Sequence, residues 1–335
     1  MTDSKISIII PAFNLEDCLG STLESVQAQT YGNIQIIVVD DGSADATWDV
    51  ILRYAARDGR IVPIRQENGG VTAARLRGVA EATGAWIGFV DGDDYIEPDM
   101  YERLLDNARK HDADISHCGY RMVFPNGKVD YYYNTGTLLC QNREDALKEL
   151  ISGNRVEPGL CNKLFRRELF RELLEENRMP RDIKNYEDLL MNFYLFRQAK
   201  TSVWEDFCPY HYVLRRGSAA TAKLNRHKLE DPLKVIHILR EEVPDTLRDA
   251  ALTRLARQLV DGATRPLGDQ PELIRPFRTR CRRELRKELW GILGSGCEMR
   301  MKYMALWAAV WPGSYGWVHR VYAGARGVDK KYQID

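Results

Sequence analysis

Three aspartates crowd into four residues of the sequence. The stretch FVDGDDYIEP, residues 89–98, places Asp91, Asp93 and Asp94 at the end of an apolar run. Carboxylates this close repel one another unless a cation neutralises them, and hard oxygen ligands suit Mg²⁺ or Mn²⁺ that is shared with a substrate's phosphates. An isolated Asp-x-Asp is more often a solvated turn, so its surroundings must decide between a metal site and a turn.

Other apolar runs in the first hundred residues also end in polar clusters. These are PAFN (11–14), DDGS (40–43) and NGG (68–70). Glycines at 42, 69, 70 and 92 would let a bulky ligand approach the backbone closely. The DDGS cluster alone is typical of a turn followed by a helix capped by Ser43 or Asp45. The joint placement of the clusters favours a nucleoside diphosphate site.

The pattern of elements brings these clusters together. Short apolar runs at 6–10, 34–39, 61–64 and 86–90 predict strands, and apolar residues at helical spacing between them predict helices. This alternation is typical of a mostly parallel sheet covered on both faces, with ligands bound beyond the carboxyl ends of the strands. The three aspartates would therefore lie at the ligand-binding edge.

The pattern changes further along the chain. Residues 120–124 and 129–133 flank Pro125, Asn126 and Gly127, a hairpin signal that predicts added antiparallel strands. From about Leu224 onward helix formers dominate. We therefore expect an α/β domain at 1–223 and a helical C-terminal region at 224–335.

Composition narrows the class of protein. Among 335 residues, 48 Lys and Arg balance 48 Asp and Glu, so net charge gives no case for a nucleic-acid binder. Seven scattered cysteines without a CxxC pair predict reduced thiols rather than a disulfide framework. The first residues, MTDSKISIIIP, do not resemble a secretory signal, and we expect a cytoplasmic protein. The apolar segment at 303–311 is too short to cross a bilayer, which takes about 20 residues.

Several motifs, in order and spacing, carry a resemblance. The segments SIIIPAFN, IVVDDGSADAT, ENGGVTAAR and GFVDGDDYIEP, within residues 5–100, resemble the amino-terminal half of family 2 glycosyltransferases, which have the GT-A fold. CNKLFRRELF (161–170), NYEDLLMNFYLF (185–196) and YHYVLRRGSAAT (210–221) resemble motifs of the bacterial branch that builds surface polysaccharides. The region after about Lys223 resembles nothing specific.

The resemblance implies a donor site for a UDP-sugar. Phe13 would stack on the uracil ring, and Asp40 and Asp41 would hold the uracil edge and the ribose. Asp91 would meet the ribose or a metal-bound water, and Asp93 would ligate Mn²⁺ or Mg²⁺ across the diphosphate. The remaining residues expected in the nucleotide-sugar pocket are Pro11, Asn14, Asn68, Arg75 and Gly92.

The resemblance also implies catalytic roles for an inverting transfer. Asp188 would be the base that deprotonates the acceptor hydroxyl, with Glu187 in support; without the family context, this acidic pair is typical of a helix N-terminus. Arg215 and Arg216 would stabilise the diphosphate leaving group. Two further side chains have an alternative interpretation. His211 would complete the metal shell or be a packed histidine, and Lys163 would face the diphosphate or acceptor or be a surface lysine.

The C-terminal region suggests a partner surface. Residues 275–287, RPFRTRCRRELRK, carry seven basic side chains against one acid, and an aromatic-rich segment follows. This combination favours peripheral contact of residues 272–335 with an anionic membrane, where a lipid-linked acceptor would be presented. The alternative is a helical core or a contact between subunits. The oligomeric state stays open.

Two other functions compete with glycosyl transfer from a UDP-sugar to a glycan or lipid-linked acceptor. A nucleotidyltransferase usually has a glycine-rich phosphate loop after its first strand, which PAFN does not resemble. A sugar-nucleotide-binding protein without turnover would not need both Asp93 and Asp188. The prediction is therefore a metal-dependent inverting glycosyltransferase of polysaccharide synthesis.

Overall fold

The computed structural model describes residues 4–176, 178–215 and 223–326. The strands are β1 (Ile6–Ala12), β2 (Ile34–Asp40), β3 (Ile61–Arg65), β4 (Trp86–Phe89), β5 (Tyr95–Ile96), β6 (Ile115–Val123), β7 (Val129–Tyr131), β8 (Leu138–Asn142), β9 (Lys163–Arg166) and β10 (Thr201–Val213). The helices are α1 (Leu19–Gln27), α2 (Thr47–Ala55), α3 (Val71–Glu81), α4 (Met100–Lys110), α5 (Arg143–Ser152), α6 (Arg171–Glu175), α7 (Glu187–Gln198), α8 (Arg226–Glu242), α9 (Arg248–Thr264), α10 (Pro271–Gly294), α11 (Met299–Val310) and α12 (Pro312–Arg326).

The strands form one mixed sheet. Its main path runs β3-β2-β1-β4-β9-β6-β10-β5, and β7 and β8 pair with β6 and β10. Strands β1 to β4 pair in parallel, β9 runs antiparallel between β4 and β6, and β10 is parallel to β6. The β6–β7 hairpin turns at Gly127, whose φ is 81°. The expected sheet, mostly parallel with added antiparallel strands and followed by a helical region, is confirmed.

Burial explains why the first strands are continuous apolar runs. Ile8, Ile9 and Ile37 have no exposed surface, as expected for strands covered on both faces. The register pairs Ala12 with Asp40 and Asp40 with Arg65, so the carboxyl ends of β1, β2 and β3 lie side by side. The loops that follow these strands share one edge of the sheet.

The chain divides into two compact units. The first comprises Met1–Leu147, Pro158–Asp182 and Met191–Arg215 and contains the sheet; the second comprises Lys148–Glu157, Ile183–Leu190 and Arg216–Asp335. Two short segments that were predicted to belong to the domain at 1–223 thus fall in the second unit. A change of composition along the chain indicates a single domain boundary. It does not show that a short segment packs with a distant part of the chain, because that depends on long-range contacts.

The second unit has its own apolar core. Leu255, Leu259, Cys281, Leu285 and Ala305, from α9, α10 and α11, are fully buried in one cluster. Within the described part of the chain, no helix combines the length and the apolar character needed to span a membrane.

Candidate active site

The turn between β4 and β5 is held from two sides. The Tyr210 hydroxyl donates to Asp94 Oδ2 (2.6 Å) and accepts from the Asp91 amide, and the Val213 amide donates to Asp94 Oδ1 (2.8 Å). From α1, the Thr22 hydroxyl reaches the carbonyl oxygens of Gly92 and Asp94. Asp94 is therefore a structural anchor, because its carboxylate is buried and fully used within the fold.

Asp91 and Asp93 remain partly exposed, and each faces an arginine. Arg75 Nη2 lies 2.9 Å from Asp91 Oδ1, and Arg215 Nη2 lies 2.5 Å from Asp93 Oδ2. Burial raises the pKa of Asp93 above its usual value; the Arg215 contact opposes this shift, whereas the charge of Asp91 adds to it. The site therefore favours positive charge beside these two carboxylates.

Gly92 is enclosed by the first strand and its loop. A Cβ at this position would come 2.7 Å from Leu15 Cδ1 and 2.9 Å from the carbonyl oxygen of buried Pro11. Any side chain would push the acidic turn away from β1. Gly92 and Pro11 thus keep the two loops in contact.

Asp40 and Asp41 face the fold more than the solvent. Asp40 accepts from the Ser43 amide and pairs with Arg65, while the two oxygens of Asp41 accept from Gln66 Nε2 and from the amides of Gly69 and Gly70. Both aspartates are almost completely buried. Their hydrogen bonds therefore hold the loops after β2 and β3 in shape. Their contact with uracil and ribose stays a prediction.

The loop after β1 presents an aromatic ring. Phe13 is 47% exposed at this edge. Asn14 adopts a left-handed φ of 53°, donates its amide to Ser43 Oγ and accepts the Ala44 amide on Oδ1. Asn68, in the loop after β3, is exposed, and its backbone lies against Gly42. The loops after β1, β2 and β3 are thus cross-linked around an open ring face.

The residues around Asp91 fit a divalent cation shared with phosphate. Within residues 4–176, 178–215 and 223–326, no three His, Cys, Asp or Glu side chains gather into a ready-made metal site. Mg²⁺ and Mn²⁺ are nevertheless commonly held by one or two carboxylates plus substrate phosphates. Two partly exposed aspartates, one of them with a raised pKa, supply the oxygen ligands that such an ion needs.

His211 and Lys163 have other partners. His211 Nε2 lies 2.8 Å from Glu97 Oε1, and its ring stacks on Tyr95. Lys163 is fully buried and donates to the Gly159 carbonyl oxygen and to Asn162 Oδ1. Lys163 is not the surface lysine of the alternative interpretation, because its buried ammonium group holds the segment before β9. Its expected place facing the diphosphate or the acceptor stays a prediction.

The predicted base lies at a helix start. Glu187 and Asp188 form the first turn of α7 and are partly buried, and both have partners within the fold. They belong to the second compact unit. Arg216 lies outside the described residues.

Three further residues complete the site's framework and were missed by sequence reasoning. Cys18 Sγ lies 2.9 Å from Arg215 Nη1, Gln66 holds Asp41, and Tyr210 anchors Asp94. The signal for Tyr210 was its place in the motif YHYVLRR, but only the pairing of β10 with β5 shows what its hydroxyl contacts.

Comparisons with known proteins show what the chain is similar to. Residues 7–174, half of the chain, match the family described as Glycosyl transferase family 2. The chain is 33% identical over 219 residues to the glycosyltransferase EpsH of Bacillus subtilis. The aligned region covers 65% of this chain and 63% of EpsH. It is 28% identical over 228 residues to the minor teichoic acid biosynthesis protein GgaB of the same organism, across 66% of this chain and 24% of GgaB. The chain thus spans less than two thirds of these relatives' own length.

Solved structures share the fold. TarS of S. aureus (residues 1–349) in complex with UDP-GlcNAc superposes with a TM-score of 0.67 at 19% identity, covering 96% of this chain and 92% of TarS. The mannosyltransferase PcManGT of Pyrobaculum calidifontis, in complex with GDP-Man and Mn²⁺, gives 0.55 at 14% identity, covering 92% and 87%. These neighbours confirm the expected GT-A fold.

Proposed function

The chain belongs to glycosyl transferase family 2, and we propose that it is an inverting glycosyltransferase. One of its relatives, GgaB, is named for minor teichoic acid biosynthesis. The protein moves a sugar from a UDP-sugar to a hydroxyl group of a glycan or lipid-linked acceptor in capsular, exo- or cell-wall polysaccharide synthesis. The observation that carries the proposal is the pair Asp91 and Asp93, held partly exposed beside Arg75 and Arg215 in a turn whose Gly92 packs against Pro11 and Leu15.

The donor's uridine binds at the loops after β1 to β3. Phe13 offers an exposed ring face for stacking against uracil, and Asn14, Asn68 and Gly42 line the loops beside it. Asp40 and Asp41 hold these loops in shape from the inner side, and their contact with the nucleoside stays a prediction. The TarS complexes, which hold UDP and UDP-GlcNAc in the same fold, support this choice of donor.

The diphosphate lies over the acidic turn. Asp91 and Asp93 would hold Mn²⁺ or Mg²⁺, which neutralises charge on the departing diphosphate. Arg215 then exchanges its contact with Asp93 for the phosphate oxygens, where negative charge grows as the glycosidic bond breaks. Arg216, the next residue, has the same charge and the same proposed role. The proposal does not need Lys163, which is fully buried, or His211, whose Nε2 faces Glu97, and their expected contacts with phosphate and metal stay predictions.

The acceptor hydroxyl is activated by a carboxylate. Asp188 takes the proton as the acceptor oxygen attacks the anomeric carbon from the face opposite UDP, and Glu187 supports it. The new glycosidic bond forms as the bond to UDP breaks, and the configuration of the anomeric carbon inverts.

The first experiment is UDP release from a panel of UDP-sugars with Mn²⁺. The unchanged protein should release UDP, and Asp93→Ala should lower the rate by about 100-fold or more. Asp106→Asn, an exposed carboxylate on α4, is the matched control and should keep full activity. Release of sugar 1-phosphate instead of UDP would identify a nucleotidyltransferase, and tight UDP binding without turnover on any sugar would favour a binding protein.

The second experiment tests the base. Asp188→Asn should abolish transfer while UDP affinity, measured by calorimetry, stays within about threefold of the unchanged protein, because the base acts on the acceptor. Undiminished transfer by Asp188→Asn would contradict the assignment, and the same assay on Glu187→Gln would then show whether the neighbouring carboxylate serves as base. NMR of the first product formed should show the anomeric configuration opposite to that of the donor.

A further inference from the structure

Helix α11 is apolar on both of its faces, and the structure covers only one of them. The buried face consists of Met301, Ala305, Ala308 and Ala309. The opposite face, at spacings of three and four residues, consists of Met299, Tyr303, Leu306, Trp307 and Val310, all exposed. A surface helix usually turns polar side chains outward, and one that is apolar all round belongs in a core or against lipid. The outer face of α11 therefore exposes side chains that are suited to contact with lipid or with another apolar surface.

More exposed aromatic side chains extend from α11 into α12. Tyr303 and Trp311 are each 67% exposed, and Trp317 is 62% exposed. Trp307 links the two helices, because its Nε1 donates to Ser314 Oγ and its ring packs edge-on against Tyr315. We call the exposed face of α11 together with Trp311 and Trp317 the aromatic surface. Apolar surface on this scale marks an interaction site rather than ordinary exposure.

A basic stripe adjoins the aromatic surface. Arg283, Arg286 and Lys287 are exposed on α10 and lie on one helical face with Trp290, which is 80% exposed. Arg286 Nε donates to the carbonyl oxygen of Ala309, and this bond places the stripe beside the last turn of α11. From 299 to 326 the sequence contains no Asp or Glu. The acids on α10 between the basic residues, Glu284 and Glu288, are paired with His237 and Arg240. The surface therefore combines apolar aromatics with mainly positive charge.

We propose that the aromatic surface and the basic stripe dock the protein onto the face of a membrane that contains anionic lipids. Tryptophan and tyrosine favour the boundary between headgroups and acyl chains, and arginine and lysine favour anionic headgroups. Contact is peripheral, because no described helix can span a bilayer. A second copy of the chain is the weaker occupant, since the same positive charges would face each other across the contact.

The proposal stands independently of the donor and the reaction. It requires only the second compact unit, whose α10, α11 and α12 carry every residue named. Failure of the glycosyltransferase assays would leave it untouched, and failure of docking would leave the chemistry of the acidic turn untouched.

Vesicle flotation of the full chain tests the proposal. The protein should float with phosphatidylcholine vesicles that contain phosphatidylglycerol and stay in solution with phosphatidylcholine alone, and added salt should weaken the binding. Tyr303→Ser/Trp311→Ser/Trp317→Ser should lower partitioning at least about tenfold, and Arg283→Gln/Arg286→Gln/Lys287→Gln should remove the preference for anionic lipid.

Matched variants keep the result interpretable. Tyr131→Ser/Tyr133→Ser removes two exposed aromatics from the first unit, each 51% exposed, and should float like the unchanged protein. Circular dichroism and thermal unfolding of every variant report that it is folded. Equal flotation of the aromatic variant and the unchanged protein would overturn the proposal. The proposal would also be overturned if light scattering showed a concentration-dependent dimer that does not float with vesicles and that dissociates only when the aromatic residues are substituted.

Discussion

Arg215 and Asp93 form an ion pair at 2.5 Å, and the same guanidinium lies 2.9 Å from the thiol of Cys18. The pair joins the end of β10 to the turn after β4. It neutralises a carboxylate whose pKa burial raises, at the place where a divalent cation and a diphosphate are proposed to bind. Among the residues that the structure describes, Arg215 is therefore the cationic side chain best placed to exchange its contact with Asp93 for one with the proposed diphosphate.

Replacing Arg215 should affect turnover more than folding. Arg215→Gln is expected to lower UDP release about 100-fold, because the leaving group loses a charge-assisted contact while Asp93 keeps its place. Initial rates at saturating UDP-sugar measure this loss. Arg226→Gln, at an exposed arginine on α8, is the control and should be neutral. A rate within twofold of the unchanged protein would remove Arg215 from the reaction.

The hydroxyl of Tyr210 should matter for both stability and activity. Tyr210→Phe leaves the Asp94 carboxylate, whose pKa is raised by burial and by the charges of Asp91 and Asp93, without its hydroxyl partner. We expect a loss of about 1–3 kcal/mol in the free energy of unfolding and weaker donor binding. Denaturant unfolding and UDP calorimetry measure the two effects. Tyr133→Phe, at an exposed tyrosine, should change neither; equal behaviour of both variants would contradict the anchoring role.

Asp41 is expected to act through the loop it holds. Asp41→Asn exchanges one acceptor oxygen for a donor, so at least one of the bonds from Gln66, Gly69 and Gly70 is lost. The expected cost is about 1–3 kcal/mol of stability, with faster hydrogen exchange at Gly69 and Gly70. Asp49→Asn on α2 serves as the comparison. Unchanged exchange at both glycines would show that the loop stands without Asp41.

His117 should make the protein sensitive to mild acid. It is fully buried, neither ring nitrogen has a hydrogen-bond partner among the described residues, and burial, aided by the charge of Lys163, holds its pKa well below the usual 6.5. The unfolded chain binds a proton below pH 6.5 that the folded chain does not, so stability is present above that pH and falls as pH decreases. The slope is at most about 1.4 kcal/mol per pH unit.

The matched variant is His117→Phe, which fills the same space beside Phe196 without titrating. Urea unfolding at pH 7.5 and 5.5 should show a smaller loss of stability on acidification for this variant. An equal loss for His117→Phe and the unchanged protein would contradict the prediction.

The part of the fold that was predictable is the part that local pattern determines. The apolar runs that form β1 to β4 are recognisable as strands in the sequence, because a parallel sheet that is covered on both faces needs apolar side chains on both. The insertion of β9 between β4 and β6 could not be foreseen, because pairing of distant strands leaves no local period. The clusters at 40–43 and 91–94 lie at the expected edge because each directly follows a strand that its apolar pattern predicts.

The roles within the site were harder to predict than its location. Asp40 and Asp41 look equivalent to Asp91 and Asp93 in sequence, yet the first two are buried and bonded inward while the second two are partly exposed. Lys163 was expected to face the diphosphate or the acceptor, with a surface lysine as the alternative; it is fully buried, and a lysine can be buried when carbonyl oxygens accept hydrogen bonds from its ammonium group. Side-chain direction depends on tertiary packing that composition does not encode.

The anchoring of Asp94 by Tyr210 spans 116 residues of chain. The acidic turn leaves the ribosome long before the strand that secures it. A nascent chain that ends anywhere before β10 therefore has this turn held by α1 alone, and the second support forms only when the last strand of the sheet has been made. Premature termination in the intervening stretch would yield a fragment that contains the motif but lacks half of its support.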